Sequence, residues 1–477
     1  MVKRIKMMLV QLRSRLNLQA AAAAAMLLTG LFVPGVSPAV SLSGESTTYL
    51  QSLQAADGTK ELPFYEYLNL SVKEVGKETI SFQFGGWLKY DLKGRFPVYD
   101  RTSNDLSYAY LSYRDTAANA VVNLGRVLVF EGVASERVDG IYARVDLLNN
   151  LSVSAFGGAP VETGSDLTAT ANIYGARISH QMPGLYQVGL SYLNEEKRGS
   201  TVREEEGVDL WLRPMSKVEL MGKSRFNGDT SAWSDHNYVL VLGPFANVRL
   251  NTEGSFINYK EYFTGATTAV FRFDPAVIDQ HEKVHILGEE VAYDISDGLK
   301  VSVNYRTYTY EVAGSAKYYG GNVRYGAAAS GGAGISIHKM SGDTDRLNYA
   351  EYRAYVYRKY GKTDVTLDLL DVAYSAAINN VKNAYAVTLG AAHELSERVK
   401  LGADVEYSKN PDVDKDIRSL IKLTYSFDSA KEHHSANAKP SESAVAQTPA
   451  AAPVSVAASE LAKPVAAPGQ DKPKEGN

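Results

Sequence analysis

The chain has 477 residues, 45% of them hydrophobic, and its 50 Lys and Arg against 54 Asp and Glu give a formal net charge of −4. A balance this close to neutral creates no basic field for nucleic acid and no acidic field for a cationic partner. Cysteine is absent, which excludes disulfides, thiolate metal ligands, a cysteine nucleophile, thioether-linked haem and a lipid-modified cysteine on this chain.

The first 39 residues have the organisation of an export signal. Five Lys and Arg residues among the first fifteen precede an apolar stretch at residues 18–35, and residues 37–39 ("SPA") are small, as a cleavage site requires. Gly30 and Pro34 interrupt the apolar stretch, which favours a removable signal over a membrane-spanning helix. We expect cleavage after Ala39.

Residues 40–78 follow the signal and contain one strand-like stretch. Residues 64–72 ("FYEYLNLSV") alternate as a strand does. Counting them as part of a barrel gives an odd number of strands and puts the long loops on the wrong side. They are therefore predicted to lie outside the wall, as a periplasmic or lumenal segment.

Alternation dominates residues 79–427. In "LKVSVNY" the side chains of Leu299, Val301, Val303 and Tyr305 share one face, with polar residues on the other. Many stretches sustain this pattern over the 9 to 11 residues that a tilted membrane strand needs, longer than the roughly five or six of soluble strands. The pattern predicts an all-β fold, a transmembrane antiparallel up-and-down barrel of about 20 strands, with 22 as the alternative. The predicted strands lie near residues 79–91, 106–113, 118–127, 138–146, 151–157, 169–179, 185–194, 205–213, 216–225, 234–243, 245–256, 284–294, 298–310, 317–328, 332–340, 346–358, 362–373, 383–393, 397–407 and 416–427.

The connections between these strands indicate an orientation. Every second one is a short turn signal: "LLNN", "HQMPG", "RPMS", "LGP", "SDG", "SGG", "YGKT" and "LSER". The intervening connections are mostly predicted to be longer, such as "EEKRGSTVRE" and residues 258–283. Because bacterial barrels keep their tight turns in the periplasm, the barrel is predicted to begin and end there.

The last strand carries a recognisable pattern. Ile421, Leu423, Tyr425 and Phe427 alternate up to the end of the ordered region. This pattern resembles the closing strand of outer-membrane barrel proteins, and the resemblance implies recognition by the barrel-assembly machinery. Residues 428–477 follow, rich in Ala, Pro and Lys, and are predicted to be a disordered periplasmic tail.

A second resemblance lies at residues 123–147. A Gly-Arg pair ends one predicted strand, a loop follows, and Asp139-Gly140 opens the next strand. The arrangement is similar to that of several large porin-type families, which include the sheath components of porin–cytochrome conduits in metal-respiring bacteria. Arg126 and Arg137 flank the predicted loop, and we consider them for a constriction role.

The polar faces of the strands define a candidate site. Inward charges at this density require water or ion pairing, so the lumen is predicted to be water-filled. Because the signs are mixed, no ion selectivity is predicted. The predicted pore-lining residues are Lys89, Arg144, Asp146, Asp209, Arg213, Lys217, Glu219, Arg249, Lys300, Arg306, Glu351, Arg353, Asp364, Asp368, Asp404 and Glu406.

These observations lead to three functional hypotheses for a protein of the Gram-negative outer membrane. The first is a porin-like channel for passive diffusion of small hydrophilic solutes or ions. The second is a sheath holding a multihaem cytochrome or another periplasmic protein, and the third is a surface receptor or adhesin that uses the loop at residues 258–283. No phosphate-binding loop, nucleophile elbow or paired zinc motif occurs, so neither an enzyme nor a cofactor is predicted. The expected partners are outer-membrane lipid and the assembly machinery.

Overall fold

A computed structural model of the chain describes residues 41–54, 60–74, 79–93, 102–161, 171–264, 281–327, 331–411, 413 and 415–429. The predicted export signal and the predicted tail from residue 430 onward lie outside the described residues. Within those ranges, the only helical segments are too short or too polar to cross a membrane.

Twenty-two antiparallel strands form one sheet. They are β1 (Ser41–Gln54), β2 (Pro63–Lys73), β3 (Ile80–Asp91), β4 (Thr102–Asp115), β5 (Ala120–Glu131), β6 (Ala134–Asp146), β7 (Leu151–Pro160), β8 (Ala171–Met182), β9 (Tyr186–Lys197), β10 (Ser200–Met215), β11 (Val218–Asn227), β12 (Ala232–Phe245), β13 (Val248–Asn258), β14 (Lys283–Ser296), β15 (Leu299–Tyr310), β16 (Gly314–Ala327), β17 (Gly331–Gly342), β18 (Tyr349–Tyr360), β19 (Thr363–Ile378), β20 (Val381–Glu394), β21 (Val399–Lys409) and β22 (Asp416–Asp428). A two-residue strand at Lys60–Glu61 pairs antiparallel with the end of β1, and a short helix, α1 (Tyr259–Thr264), follows β13.

The sheet closes on itself because β1 pairs on both sides. Leu50 lies opposite Phe64 of β2 and opposite Ile421 of β22. Every other strand pairs with its two neighbours in sequence. The closed barrel leaves no unpaired edge, which a wall in contact with lipid requires.

The predicted fold is confirmed, with 22 strands rather than 20. The twenty predicted strands correspond one for one to β3–β22. The placement of residues 64–72 outside the wall was wrong, because they form β2, and the unrecognised strand is β1. The outward face of β1 and β2 is partly polar: Glu66 accepts hydrogen bonds from the hydroxyls of Ser46, at 2.5 Å, and Thr48, at 2.6 Å. That polar interruption hid the apolar alternation of β1.

The connections divide between two rims. Ser41, Asp428 and the described residues of all eight predicted short turns lie at one end of the barrel, which we call the turn rim; the opposite end is the loop rim. The loop-rim connections are not uniformly longer, since residues 132–133, 198–199 and 379–380 are two-residue turns. The predicted loop "EEKRGSTVRE" instead continues β9 and β10, because polar residues can remain in a ladder that extends beyond an apolar band.

The outward faces form an apolar band. On β17, Ile335 and Ile337 are 60% and 55% exposed. Tyrosines bound the band, as Tyr352 and Tyr360 do on β18, eight residues apart on one face. At about 3.3 Å per residue and a tilt near 40°, that separation spans roughly 20 Å, close to the apolar band of outer-membrane barrels.

Candidate functional site

Strands β5 and β6 leave the wall near the loop rim. Strand β4 pairs with β5 only as far as Ala109, opposite Arg126, although β5 continues to Glu131. On the other side, β7 follows β6 up to Val138 but separates from β8 beyond Gly158. We call residues 126–140, which form a β-hairpin with its turn at residues 132–133, the inner hairpin.

The inner hairpin lies inside the barrel. The backbone amide of Val133 donates a hydrogen bond of 3.0 Å to Ser191 Oγ of β9, three strands beyond β6. Ser191 belongs to the face of β9 opposite the exposed Val188 and Leu190, which is the inner face. The hairpin therefore crosses the inner surfaces of β7 and β8.

An apolar core seats the hairpin against the wall. Its members are each at most 6% exposed: Val127, Val129, Val133, Ala134, Val138, Phe156, Ile173 and Leu193. Burying one such side chain fully contributes about 1.5–3 kcal/mol for residues of Val size or larger. The turn is equally tight, because a Cβ on Gly132, whose φ is +62°, would overlap the side chain of Ser191. The hairpin is therefore packed on the wall.

Two buried guanidinium groups fix the hairpin to β8 and β10. Arg203 lies between Glu136 of the hairpin, at 2.6 Å, and Glu205, at 3.0 Å, and all three side chains are at most 6% exposed. Arg177 binds Asp209 with two hydrogen bonds, of 3.0 and 2.6 Å, and approaches Glu131 at 3.5 Å. Paired and hydrogen-bonded in this way, the charges tolerate burial.

The base of the hairpin is held by the two arginines singled out from sequence. Arg126 forms two hydrogen bonds to Asp139 across the hairpin, of 2.6 and 2.8 Å, and donates a third to the carbonyl oxygen of Leu106. Arg137 binds Asp105 of β4 at 2.5 Å. Both arginines stand where the hairpin leaves the wall, and their role in a constriction stays a prediction.

The predicted pore-lining residues lie on the inner faces of their strands, except for two at the turn rim, Arg213 and Lys217. Those on inner faces are Lys89, Arg144, Asp146, Asp209, Glu219, Arg249, Lys300, Arg306, Glu351, Arg353, Asp364, Asp368, Asp404 and Glu406. Many are paired with neighbours: Arg306 contacts Glu253 at 2.5 Å, and Arg353 contacts Asp368 at 2.6 Å. That they line a conducting pore stays a prediction.

Sequence reasoning missed Glu131, Glu136, Arg177, Arg203 and Glu205, which seat the hairpin. Their partners lie far apart in the chain, so periodicity could not pair them. One signal was present: "VLVF" at residues 127–130 is apolar on both faces, which departs from the alternation of the wall strands, although only the face of Val127 and Val129 is buried.

A second inner feature is a cluster of rings on β1–β3, which we call the aromatic patch: Tyr49, Tyr65, Tyr67 and Trp87. Ring centroids are 5.5 Å apart for Tyr49 and Tyr67, 6.2 Å for Tyr65 and Tyr67, and 6.4 Å for Tyr67 and Trp87. Lys89 places its Nζ 5.8 Å from the ring centroid of Tyr65. The patch is therefore an apolar platform with a cation on an otherwise polar wall.

The four residues of the closing-strand pattern, Ile421, Leu423, Tyr425 and Phe427, lie on the outward face of β22. The first three are 49%, 40% and 42% exposed. Phe427 lies opposite Gly44 of β1, where a Cβ would crowd the phenylalanine ring at 2.6 Å. Their recognition by the assembly machinery stays a prediction.

Across the described ranges, no three His, Asp or Glu side chains are grouped so as to hold a metal ion. The inner wall instead offers mixed charges, hydroxyls and aromatic rings.

No protein-family model matches the chain, and no curated protein matches it. Solved structures share its fold. A mutant of the ferric enterobactin receptor PfeA and the siderophore receptor PirA, both from Pseudomonas aeruginosa, each align with a TM-score of 0.51 and 11% identity, covering 81% of this chain and 80% of the other. OccK8 (OprE) of the same organism aligns with a TM-score of 0.42 and 10% identity over 83% and 99% of the two chains. At these identities the likeness to the two receptors shows a shared β-barrel fold and nothing further.

Proposed function

We propose that the protein is an outer-membrane, porin-like channel for small hydrophilic solutes or ions, and that the inner hairpin narrows its lumen. The observation that carries the proposal is the seating of residues 126–140 inside a 22-strand barrel by buried ion pairs. The polar, mixed-charge inner wall supports the same function, because such groups require water or partners.

The proposed role of the inner hairpin, narrowing the lumen, follows from the diameter of the barrel. A circular barrel of 22 strands spaced about 4.8 Å apart and tilted near 40° has a backbone diameter of about 44 Å. Such a lumen, left open, would pass large solutes. A hairpin fixed across one side reduces the cross-section and places Arg126 and Arg137 at the narrowing.

The proposed orientation puts the turn rim in the periplasm and the loop rim outside the cell. The short turns support this placement, since bacterial barrels keep their tight turns on the periplasmic side. The first and last strands both meet the turn rim, so the predicted tail would emerge there. Outer-membrane lipid would contact the apolar band, and the assembly machinery would act on β22.

The sheath hypothesis receives less support. A cytochrome inside the barrel would compete for the space that the inner hairpin occupies. The receptor hypothesis stays a prediction, because most of its contact loop, residues 265–280, lies outside the described residues. We therefore propose the diffusion channel ahead of the sheath, on the ground of the space that the inner hairpin occupies.

Planar-bilayer recording with the purified full-length protein tests the proposal. We expect discrete, stable conductance steps in simple salt solution without any added partner. Refolded barrels that insert into the bilayer but pass no current would contradict a diffusion channel, and co-purification of a haem protein would then favour the sheath.

A further inference from the structure

The aromatic patch adjoins the inner hairpin. Trp87 lies directly opposite Asp105 across β3 and β4, and Asp105 is the residue that binds Arg137 of the hairpin. Tyr49 and Tyr65 extend the patch in the other direction, to β1 and β2. A solute moving past the proposed narrowing would therefore meet these rings.

Two lysines of the patch differ from most cations of the inner wall. Lys89 and Lys422 lie over tyrosine rings, with Nζ 5.8 Å from the centroid of Tyr65 and 5.3 Å from that of Tyr49. No carboxylate among the described residues pairs with either lysine. By contrast, Lys400 on the inner face of β21 pairs with Asp364 at 3.1 Å. The two ammonium groups therefore remain available to an anion.

Ring faces are also available. Tyr67, at the centre of the patch, is 37% exposed on the inner wall. Exposed aromatic faces in water favour stacking with a planar apolar partner, while an ammonium group beside them favours a carboxylate. An uncharged sugar would use only the rings, and a small inorganic anion only the lysines.

We propose that the aromatic patch, with Lys89 and Lys422, is a binding site for small aromatic carboxylates. The ring of the solute stacks on Tyr67 and Trp87, and its carboxylate pairs with one of the two lysines. The site lies at the proposed narrowing of the lumen, so the proposal deepens the channel function and rests on it.

The tryptophan content of the chain permits a binding test that needs no current. The chain has three Trp residues: Trp87 in the patch, Trp211 on the inner face of β10 and Trp233 near the loop rim. The double variant Trp211→Phe and Trp233→Phe makes Trp87 the single fluorophore, and Trp87→Phe with Trp233→Phe makes Trp211 the matched control. Each folded full-length barrel is titrated with benzoate and with cyclohexanecarboxylate, which has a similar size and the same charge but no aromatic ring.

We expect benzoate to change the Trp87 emission saturably, with an affinity about tenfold above that of cyclohexanecarboxylate, and to leave Trp211 unchanged. Equal affinities for the two acids, or equal responses of both reporters, would overturn the proposal. A saturable response of Trp87 to maltose and none to benzoate would also overturn it, in favour of a carbohydrate site.

Substitutions inside and outside the aromatic patch test whether benzoate binds there. Lys89→Gln combined with Lys422→Gln should weaken benzoate binding about tenfold, whereas Lys400→Gln should not, because Lys400 is already paired. Tyr67→Leu should weaken it similarly, and Tyr308→Leu, on the inner face of β15, should not. Unchanged binding in both patch variants would overturn the proposal. These binding measurements do not depend on current. If the barrel conducts but benzoate does not bind as expected, the binding site is contradicted and the proposed channel function is not.

Discussion

Arg203 donates a hydrogen bond of 2.6 Å to Glu136, and the two residues join the inner face of β10 to the inner hairpin. Four strand positions separate β6 from β10 along the wall. A direct contact between them is possible only because the hairpin leaves the wall and crosses the lumen. This pair and the apolar core beneath it hold the inner hairpin on the inner wall.

Replacing Arg203 should release the hairpin. Arg203→Met removes the guanidinium group that binds both Glu136 and Glu205, and breaking a buried pair by removing one partner costs about 3–5 kcal/mol. We expect the inner hairpin to detach from the wall while the barrel itself stays folded. The single-channel current should then become larger and noisier. Arg353→Met is the control, because Arg353 is 53% exposed in its pair with Asp368 and such pairs contribute at most about 1 kcal/mol. Equal recordings from the two variants would contradict the role assigned to Arg203.

A disulfide should form between Val133→Cys and Gly207→Cys. The side chain of Val133 points to the position that a Cβ on Gly207 would occupy, so the two sulfur atoms can meet. In a wall without an inward hairpin, β6 and β10 would stand about 19 Å apart at 4.8 Å per strand, too far for a disulfide. Because the natural chain has no cysteine, mass spectrometry of the oxidised double variant reads the bond directly. Two persistently free thiols in the folded protein would place the hairpin elsewhere.

The hairpin turn should be intolerant of a side chain at one position. Gly132→Ala combines a φ of +62° with overlap of the Ser191 side chain. We expect it to lower the yield of the engineered disulfide. Gly184→Ala is the matched control, since its φ is +77° but nothing lies within 4 Å of the new Cβ, so it carries only the backbone strain of about 1 kcal/mol. If both alanine variants give the same yield, close packing at residue 132 is not needed.

The barrel strands could be predicted from the sequence, but the inward fold could not. Regular alternation, as at Leu299 and Val301, reports which face of a strand is apolar, and this located twenty strands. It failed for β1, where Ser46 and Thr48 face outward and hold Glu66. The inner hairpin could not be predicted for a different reason. Periodicity describes each strand separately, whereas the packing of the hairpin on the wall depends on contacts between segments that are distant in the chain.

Acid should loosen one connection at the loop rim. The backbone amide and hydroxyl of Ser315 donate hydrogen bonds to Asp343, of 2.6 and 3.1 Å, and hold the pKa of that carboxyl below its ordinary value of 3.8. A depressed pKa means that the contact is fully present above the ordinary value and is lost as the pH falls through the lower, folded value. The protection factor of the Ser315 amide, which removes the intrinsic effect of pH on exchange, should stay constant from neutral pH down to about pH 4 and fall below it.

The control for this prediction is Asp343→Asn. An amide oxygen still accepts hydrogen bonds but does not titrate in this range. The exchange rate at Ser315, corrected for the intrinsic effect of pH, should then be constant. An acid-dependent loss of protection in Asp343→Asn as large as in the natural protein would assign the effect to another group.

Single-channel conductance of a hairpin-shortened barrel tests the central claim most directly. Replacing residues 128–137 with a two-residue turn removes the part of the inner hairpin that crosses β7 and β8 and leaves the strands in the wall intact. We predict that the natural protein conducts and that the shortened variant gives larger, stable conductance steps in the same salt. Equal conductance in both proteins would show that the hairpin does not narrow the pathway, and an absence of current from both would contradict the channel itself.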